Sequence, residues 1–258
     1  MEESISGAPS DSPQYKPSTK KKWWKYFFEF LMLFLAVTLG FFVDNLREEM
    51  ADRNLESQHI QSLLSDLKQD TSLFQRQIRE HKQVIDMCDS VMLLLKKEER
   101  TQHDLQRLYF LSRRMMPQIK TFFLNDRAYE EMTSSGVLRL VHHKNIADSI
   151  SKYYFSSRKL SWLNNAVISR SERKTTVESR VLSAFTTDEI VNKETMVFSP
   201  PNGHVQLITK DKDLINQFAL SIHYIASLCI YKRNSLARLK VHASRLLVTL
   251  HKEYPDLK

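Results

Sequence analysis

Residues 60–95 read IQSLLSDLKQDTSLFQRQIREHKQVIDMCDSVMLLL, without a glycine or a proline. Ile60, Leu64, Leu67, Thr71, Phe74, Ile78, His81, Ile85, Cys88, Met92 and Leu95 recur in steps of four and three, which lays them along one face of a helix. This is a heptad seam of the coiled-coil kind, broken only by Thr71 and His81. No glycine or proline interrupts residues 44–116, so the predicted helix extends past the seam. A straight helix from Asp44 to Lys97 would be about 80 Å long at about 1.5 Å per residue. A rod of that length needs partners along its flank. The C-terminal segment supplies one, because Phe218, Ile222, Ile225, Cys229, Lys232, Leu236, Leu239, Ala243, Leu246 and Leu250 repeat the spacing. The two stripes can pair within one chain or between chains.

Composition supports a helical chain and removes several functions. Only four glycines occur in 258 residues, Gly7, Gly40, Gly136 and Gly203, where average usage of about 7% would supply roughly eighteen. Phosphate-cradling loops, dinucleotide fingerprints and nucleophile elbows need clustered glycines, and none of these four lies near another. Hydrophobic residues make up 42% and charged residues 26% of the chain, enough for a real core. The net charge of +8, from 38 Lys and Arg against 30 Asp and Glu, is spread along the chain with acids interleaved. Without a stacking platform or reader motif, that excess describes a solvated helical surface and no nucleic-acid interface. Two cysteines outside any CxxC pair argue against a zinc site or a disulfide scaffold.

The N-terminal region carries a membrane signal. Lys20-Lys21-Lys22-Trp23-Trp24-Lys25-Tyr26 leads into residues 27–43, apolar apart from Glu29, Thr38 and Gly40. Trp24 to Val43 is twenty residues, about 30 Å of helix, which matches the hydrocarbon core. Trp23, Trp24 and Tyr26 stand where an interfacial aromatic belt belongs, and Lys21, Lys22 and Lys25 form the basic anchor. Five lysines precede the span, while only Arg47 and Arg53 follow within fifteen residues. The positive-inside rule therefore places the N-terminus in the cytoplasm and about 210 residues outside; in a bacterium the span would cross the inner membrane and that outer compartment would be the periplasm. A cleavable signal peptide shares the basic start, but Phe41-Phe42-Val43 offers no small-x-small cleavage site. A buried soluble helix would show a polar stripe that this run lacks. A carboxylate such as Glu29 costs roughly 2.5–3.5 kcal/mol at mid-bilayer. Near the cytoplasmic end it can snorkel or protonate; the functional alternative is a contact with a partner span or a proton path.

Shorter units lie between the two long helices. Residues 101–116 are amphipathic and stop before Pro117. Asn125 is expected to cap a helix that ends at Ser134-Ser135-Gly136, with glycine in the left-handed C-terminal position. Asn145 is expected to cap the next, running toward Phe185. Pro200-Pro201-Asn202-Gly203, between short apolar runs, reads as a β-hairpin or ordered loop near 195–209. The expected fold is all-α. A disordered cytoplasmic tail (1–22) precedes a transmembrane helix (23–43) and an elongated antiparallel helical bundle (44–258) with that one hairpin or loop.

Two segments carry a family resemblance. One runs from Glu29-Phe30-Leu31 through Leu39-Gly40 to Asn45-Leu46-Arg47-Glu48-Glu49. The other is Phe123-Leu124-Asn125-Asp126-Arg127-Ala128-Tyr129-Glu130-Glu131-Met132 with Ser134-Ser135-Gly136-Val137-Leu138, then Asn145 and Tyr153-Tyr154. Together they resemble an uncharacterised family of single-span bacterial proteins of the Bacteroidota type, a domain of unknown function. The chain departs from that pattern in its Trp-Trp start and at Arg127, where the family would place a small residue. The resemblance implies a membrane-tethered helical domain and lends no activity.

Candidate chemistry is sparse. Asn125, Tyr129, Glu130, Ser135, Gly136, Tyr153 and Tyr154 form the one polar and aromatic constellation to examine for binding, although capping and buried, bonded hydroxyls explain most of it. Ser134 and Ser135 lack the strand-turn-helix context of a nucleophile. His142 and His143 are adjacent and point apart on a helix, so no metal and no cofactor is expected. His81 reads as a core or register-setting polar residue. Cys88 and Cys229 sit at core positions of the two seams and would form a disulfide if their heights match in an oxidising periplasm. Lys232, Arg233, Arg238, Lys240 and Arg245 read as a solvated face or a headgroup contact. The expected function is a non-enzymatic, membrane-anchored interaction or scaffold protein of the cell envelope. Its partners would be the lipid bilayer and either a second copy, giving a homo-oligomer, or another envelope protein. The alternative is a periplasmic sensor or small-ligand-binding helical bundle, which a roomy pocket with converging polar groups would favour.

Overall fold

A computed structural model describes residues 19–119 and 123–257, apart from the side chains of 19–22 and 118. The tail expected over 1–22 lies outside the described residues as far as residue 18, and so do the side chains of Lys21 and Lys22. Among the described residues there are seven α-helices and no strand: α1 (Thr19–Lys96), α2 (Gln102–Arg114), α3 (Arg127–Ser134), α4 (Lys144–Arg158), α5 (Trp162–Glu178), α6 (Ala184–Asp188) and α7 (Lys212–Glu253). The fold is all-α. Two compact units divide the chain, Met1–Arg53 and Asn54–Lys258.

In the first unit α1 exposes the apolar run. Trp23, Trp24, Lys25 and Glu29 are all exposed, and so is nearly every residue to Val43. Trp23 stacks on Phe27 with ring centroids 5.9 Å apart. The Thr38 hydroxyl donates to the Phe34 carbonyl at 2.7 Å, so the hydroxyl within the run is satisfied inside the helix. Two helices, α1 and α7, are long and apolar enough to cross a membrane. They differ in what their apolar residues do: the most apolar stretch of α1 has none of its residues buried, whereas α7 sends Phe218, Ile222, Leu236 and Leu246 into the core.

In the second unit the seams of α1 and α7 meet within one chain and run in opposite directions. Tyr254, just past α7, donates to Glu56 near the start of the unit, and Lys240 donates to Gln75. Ile60 to Phe74 of α1 share one buried cluster with Leu236 to Leu250 of α7. Val84 to Leu95 share a second cluster with Phe218 to Cys229. Helices α4 and α5 pack on α7, and α2 packs on α6. Burial along both stripes follows the period of four and three, because that period keeps one face of each helix turned inward.

A polar layer separates the two clusters. Gln77, His81, Lys232 and Ser235 are all buried between them, so Lys232 leaves the solvated face expected of it. Gln77 Oε1 and both ring nitrogens of His81 find no hydrogen-bond partner among the described residues. Burial, and then the charge of Lys232, push the His81 imidazole down to about 4, so the ring is neutral at pH 7. A buried polar group without a partner costs about 1–3 kcal/mol. His81→Leu is therefore expected to stabilise the second unit by that order, read as a higher urea midpoint. An unchanged or lower midpoint would mean that the ring is hydrogen-bonded in solution.

Three local expectations are corrected. The residue that starts α3 is Asp126 and not Asn125. The Asn125 amide donates to Asp66 Oδ1 of α1 at 2.6 Å, and Asp66 Oδ2 accepts from the Ala128 N–H at 3.4 Å, so a first-turn donor of α3 is met by a different helix. Asn145 lies inside α4, whose N-cap is His143, and the helix expected to run to Phe185 breaks at residues 159–161 into α4 and α5. Of the hairpin or ordered loop expected near 195–209, the loop is found and the hairpin is not. A single antiparallel bridge joins Val191 to Phe198, ahead of the two prolines. The segment after them lies along α2, where Gln102 exchanges two hydrogen bonds with Val205 (2.8 and 3.1 Å) and Gln106 donates to the Gly203 carbonyl. Pro200 and Pro201 have no N–H to give a ladder, and the glutamine side chains of α2 take the place of a partner strand. Gly136 has φ +79°, the left-handed geometry predicted for it after Ser134-Ser135.

Candidate functional site

The residues singled out from the sequence do converge, and two acids of α1 hold them. Asp66 and Asp70 stand one helical turn apart on α1 and both are buried. The Tyr153 hydroxyl of α4 donates to Asp70 Oδ2 at 2.7 Å, while Asp66 takes the Asn125 amide as above. Tyr129 of α3 stacks on Tyr154 of α4 with centroids 4.4 Å apart and planes 10° from parallel. The Arg158 guanidinium lies 5.3 Å over the Tyr129 ring and pairs with Asp126 (2.9 Å) and Glu130 (3.0 Å). Glu130 is thereby a surface ion-pair partner. Ser135 and Ser134 both donate to the Glu131 carbonyl and close the end of α3. Gly136 only turns the chain.

This geometry fixes α3 and α4 on α1. Burial raises the pKa of Tyr153 and of Tyr154, keeping both phenols protonated, and the Tyr154 hydroxyl finds no partner among the described residues. Burial pushes the Asp70 carboxyl up from 3.8 to about 6, against the Tyr153 hydroxyl and the Asn125 N–H, which favour the anion. The folded value lies above the unfolded one, so the stability contributed by protonated Asp70 is complete below about 3.8 and is lost as the pH rises through about 6. At neutral pH the fold carries a buried carboxylate costing about 3 kcal/mol at most. Asp70→Asn keeps an acceptor for Tyr153. It is expected to be more stable than the parent near pH 7.5 and to lose that advantage near pH 4. Urea midpoints at both pH values measure this, and an equal difference at the two would show that Asp70 titrates normally.

Cys88 and Cys229 share the second cluster as free thiols, so the disulfide is not formed. Burial pushes each thiol up to about 12, which leaves them unreactive. The His142 N–H donates to Glu56 (3.0 Å) and His143 lies 3.2 Å from Glu253, tying the lead-in to α4 to the ends of the α1–α7 pair. Among the described residues no group of three or more His, Cys, Asp or Glu is placed to hold a metal ion.

A feature that the sequence did not point to lies at the other end of the second unit. A cleft of about 1250 Å³ opens between the last turns of α1, the first turns of α7, Leu105 of α2 and the segment 206–210. Its floor is apolar, with Met92, Leu93, Leu95, Leu207 and Ile215. Lys96, Lys97, Arg100, Lys210 and Lys212 stand around it against two carboxylates, Asp89 and Glu98. Lys97 is paired to Asp104 at 2.7 Å, and the Arg100 guanidinium donates to the Leu94 and Leu95 carbonyls that end α1. Asp104 also closes a capping box with Thr101 at the start of α2. The lysine ammonium and the Thr101 N–H hold its carboxyl down at about 2.

Sequence reasoning missed both sets for the same reason. Asp66 and Asp70 flank Leu67 on a heptad helix and read as its solvated flank; the signal was their spacing beside Thr71, where the seam breaks. Lys96-Lys97 and Lys210–Lys212 are separated by more than a hundred residues, and each pair alone reads as a solvated helix end. Comparison of the chain with protein-family models, with curated proteins and with solved structures finds no match.

Proposed function

We propose that this chain is a single-pass membrane protein of the bacterial inner membrane that works by binding and not by catalysis. Its N-terminus would be cytoplasmic and its helical domain periplasmic, forming an interaction or scaffold component of the envelope with a second copy or another envelope protein. The family resemblance of the 123–154 signature belongs to the same proposal. The observation that carries the reading is the run from Trp23 to Val43, an apolar stretch of helix with none of its residues buried. A soluble helix so apolar would be wrapped in protein, and an exposed apolar surface of this size finds its partner in lipid. The lysines and tryptophans at one end supply orientation and anchoring.

Protease added to spheroplasts tests this. Digestion of residues 44–258, with an anchored N-terminal fragment left behind, is the expected result, and protection of that segment overturns the topology. Crosslinking in native membranes tests the association. Recovery of the monomer alone would remove the scaffold reading. The cleft of about 1250 Å³ favours a second reading, a helical domain that binds a small ligand. The aspartate and tyrosine cluster, whose polar atoms mostly face one another, supports a structural role.

A further inference from the structure

We propose that the cleft between α1 and α7 binds an anionic amphiphile, with the alkyl chain on the apolar floor and a carboxylate or phosphate head at Lys96, Lys210 and Lys212. The inference rests on the ligand-binding reading and names its ligand. Three observations carry it.

The first is charge. Lys97 and Arg100 are occupied, by Asp104 and by the α1 carbonyls. Lys96, Lys210 and Lys212 are exposed and have no carboxylate partner among the described residues. With Asp89, Glu98 and the Asp104 that pairs with Lys97 counted, five cations stand against three anions, a net charge of two positive, which suits one anionic head better than a polyanion. The second is the apolar floor. Leu93 is 68% exposed at the cleft, with Met92, Leu207 and Ile215 beside it, so a chain laid there removes apolar surface from water on both sides. Met92 adds an adaptable side chain suited to chains of varied length. The volume exceeds the roughly 300–1,000 Å³ usual for compact ligands. The third is preorganisation. Arg100 and the Thr101–Asp104 capping box fix the turn between α1 and α2. The opposite wall is pinned where Gln102 holds Val205 and the Tyr109 hydroxyl donates to the Gln206 carbonyl at 2.9 Å. A site whose walls are already held loses little on binding.

The test uses the full chain in lipid nanodiscs and three photoactivatable probes that share one alkyl chain with a diazirine and differ in the head: carboxylate, phosphate or uncharged alcohol. After irradiation, labelled peptides are mapped by mass spectrometry. Labelling of residues 23–43 from the bilayer serves as the internal reference. The anionic probes are expected to label peptides carrying Leu93, Leu207 or Ile215, and the alcohol at least about tenfold less, as the loss of two or three lysine contacts predicts. Whichever anionic head labels more strongly separates a fatty-acid source from a phospholipid one. Lys210→Glu with Lys212→Glu, both at exposed positions, should cut cleft labelling by about tenfold while helicity and span labelling stay unchanged. Leu93→Asn, also at an exposed position, should cut it several-fold through the floor alone. Equal labelling by the alcohol, labelling indifferent to the lysine reversals, or no cleft labelling beside a labelled span would each overturn the proposal. An unlabelled span would instead overturn the membrane reading and leave the ligand site to be judged on the cleft peptides.

Discussion

Arginine at both Leu33 and Val37 is expected to abolish stable membrane association. The two positions lie one turn apart near the middle of the twenty residues from Trp24 to Val43, and both side chains are exposed, at 68% and 53%. Each arginine at a helix centre costs about 2.5–3.5 kcal/mol on the insertion scale, and each lost apolar residue forfeits about 0.3–0.6 kcal/mol more. The pair therefore costs about 6–8 kcal/mol, beyond what the basic anchor and the Trp23–Trp24 belt can offset. Carbonate extraction reads the result directly: the parent stays in the pellet and the variant does not. The same substitution at Val248, which is 71% exposed on α7, should change neither partition nor folding. Leu236→Arg should do the opposite of the span variant. It puts a charge into the first core cluster and unfolds the domain while the chain remains in the membrane. Retention of the Leu33 and Val37 variant in the pellet would mean that this run is not what holds the chain in the membrane.

That contrast also shows what a single chain reveals about itself. Local periodic features were legible, because they are set by the residues that carry them. The stripes of α1 and α7 needed only the helical repeat, and Gly136 needed only its place after two serines. Features that depend on a distant partner were not. Pro200-Pro201-Asn202-Gly203 has the composition of a hairpin turn, yet the groups that pair with its neighbours belong to Gln102, Gln106 and Tyr109, about a hundred residues earlier. Asn125 has the chemistry of an N-cap and is drawn away because Asp66 offers a charged acceptor across the core. The break between α4 and α5 is marked by neither glycine nor proline. Its residues let Leu160 and Leu163 both face the core, a choice made by packing and not by propensity. The tyrosines of the candidate site were visible as a group because α3 and α4 are close in sequence. The aspartates that organise them lie about sixty to eighty residues upstream and became visible only with the fold.

The second large effect is expected at Lys174, a fully buried lysine on α5. Its ammonium donates to the Ser112 carbonyl at 2.8 Å and to Glu178 at 2.6 Å. Ser112 lies in the last turn of α2, where carbonyls have no partner within the helix, so Lys174 acts as a C-terminal cap supplied from another element. Burial pulls its pKa down and Glu178 opposes the shift, which describes a charge kept in the core by its partners. Lys174→Ala removes the cation, leaves Glu178 and the Ser112 carbonyl unpaired, and opens a cavity; a loss of about 3–5 kcal/mol is expected. The chemistry predicts a different outcome when both charges go. Lys174→Met with Glu178→Leu replaces the ion pair by apolar volume, which is often neutral or stabilising, and only the uncapped carbonyl remains to be charged against it, at about 1–3 kcal/mol. The double variant should therefore be more stable than Lys174→Ala. Urea denaturation of the parent, of Lys174→Met, of Glu178→Leu and of the double variant closes a cycle that gives the coupling energy. Additive losses would show that Lys174 and Glu178 act independently and that the buried ammonium owes its place to α2 alone.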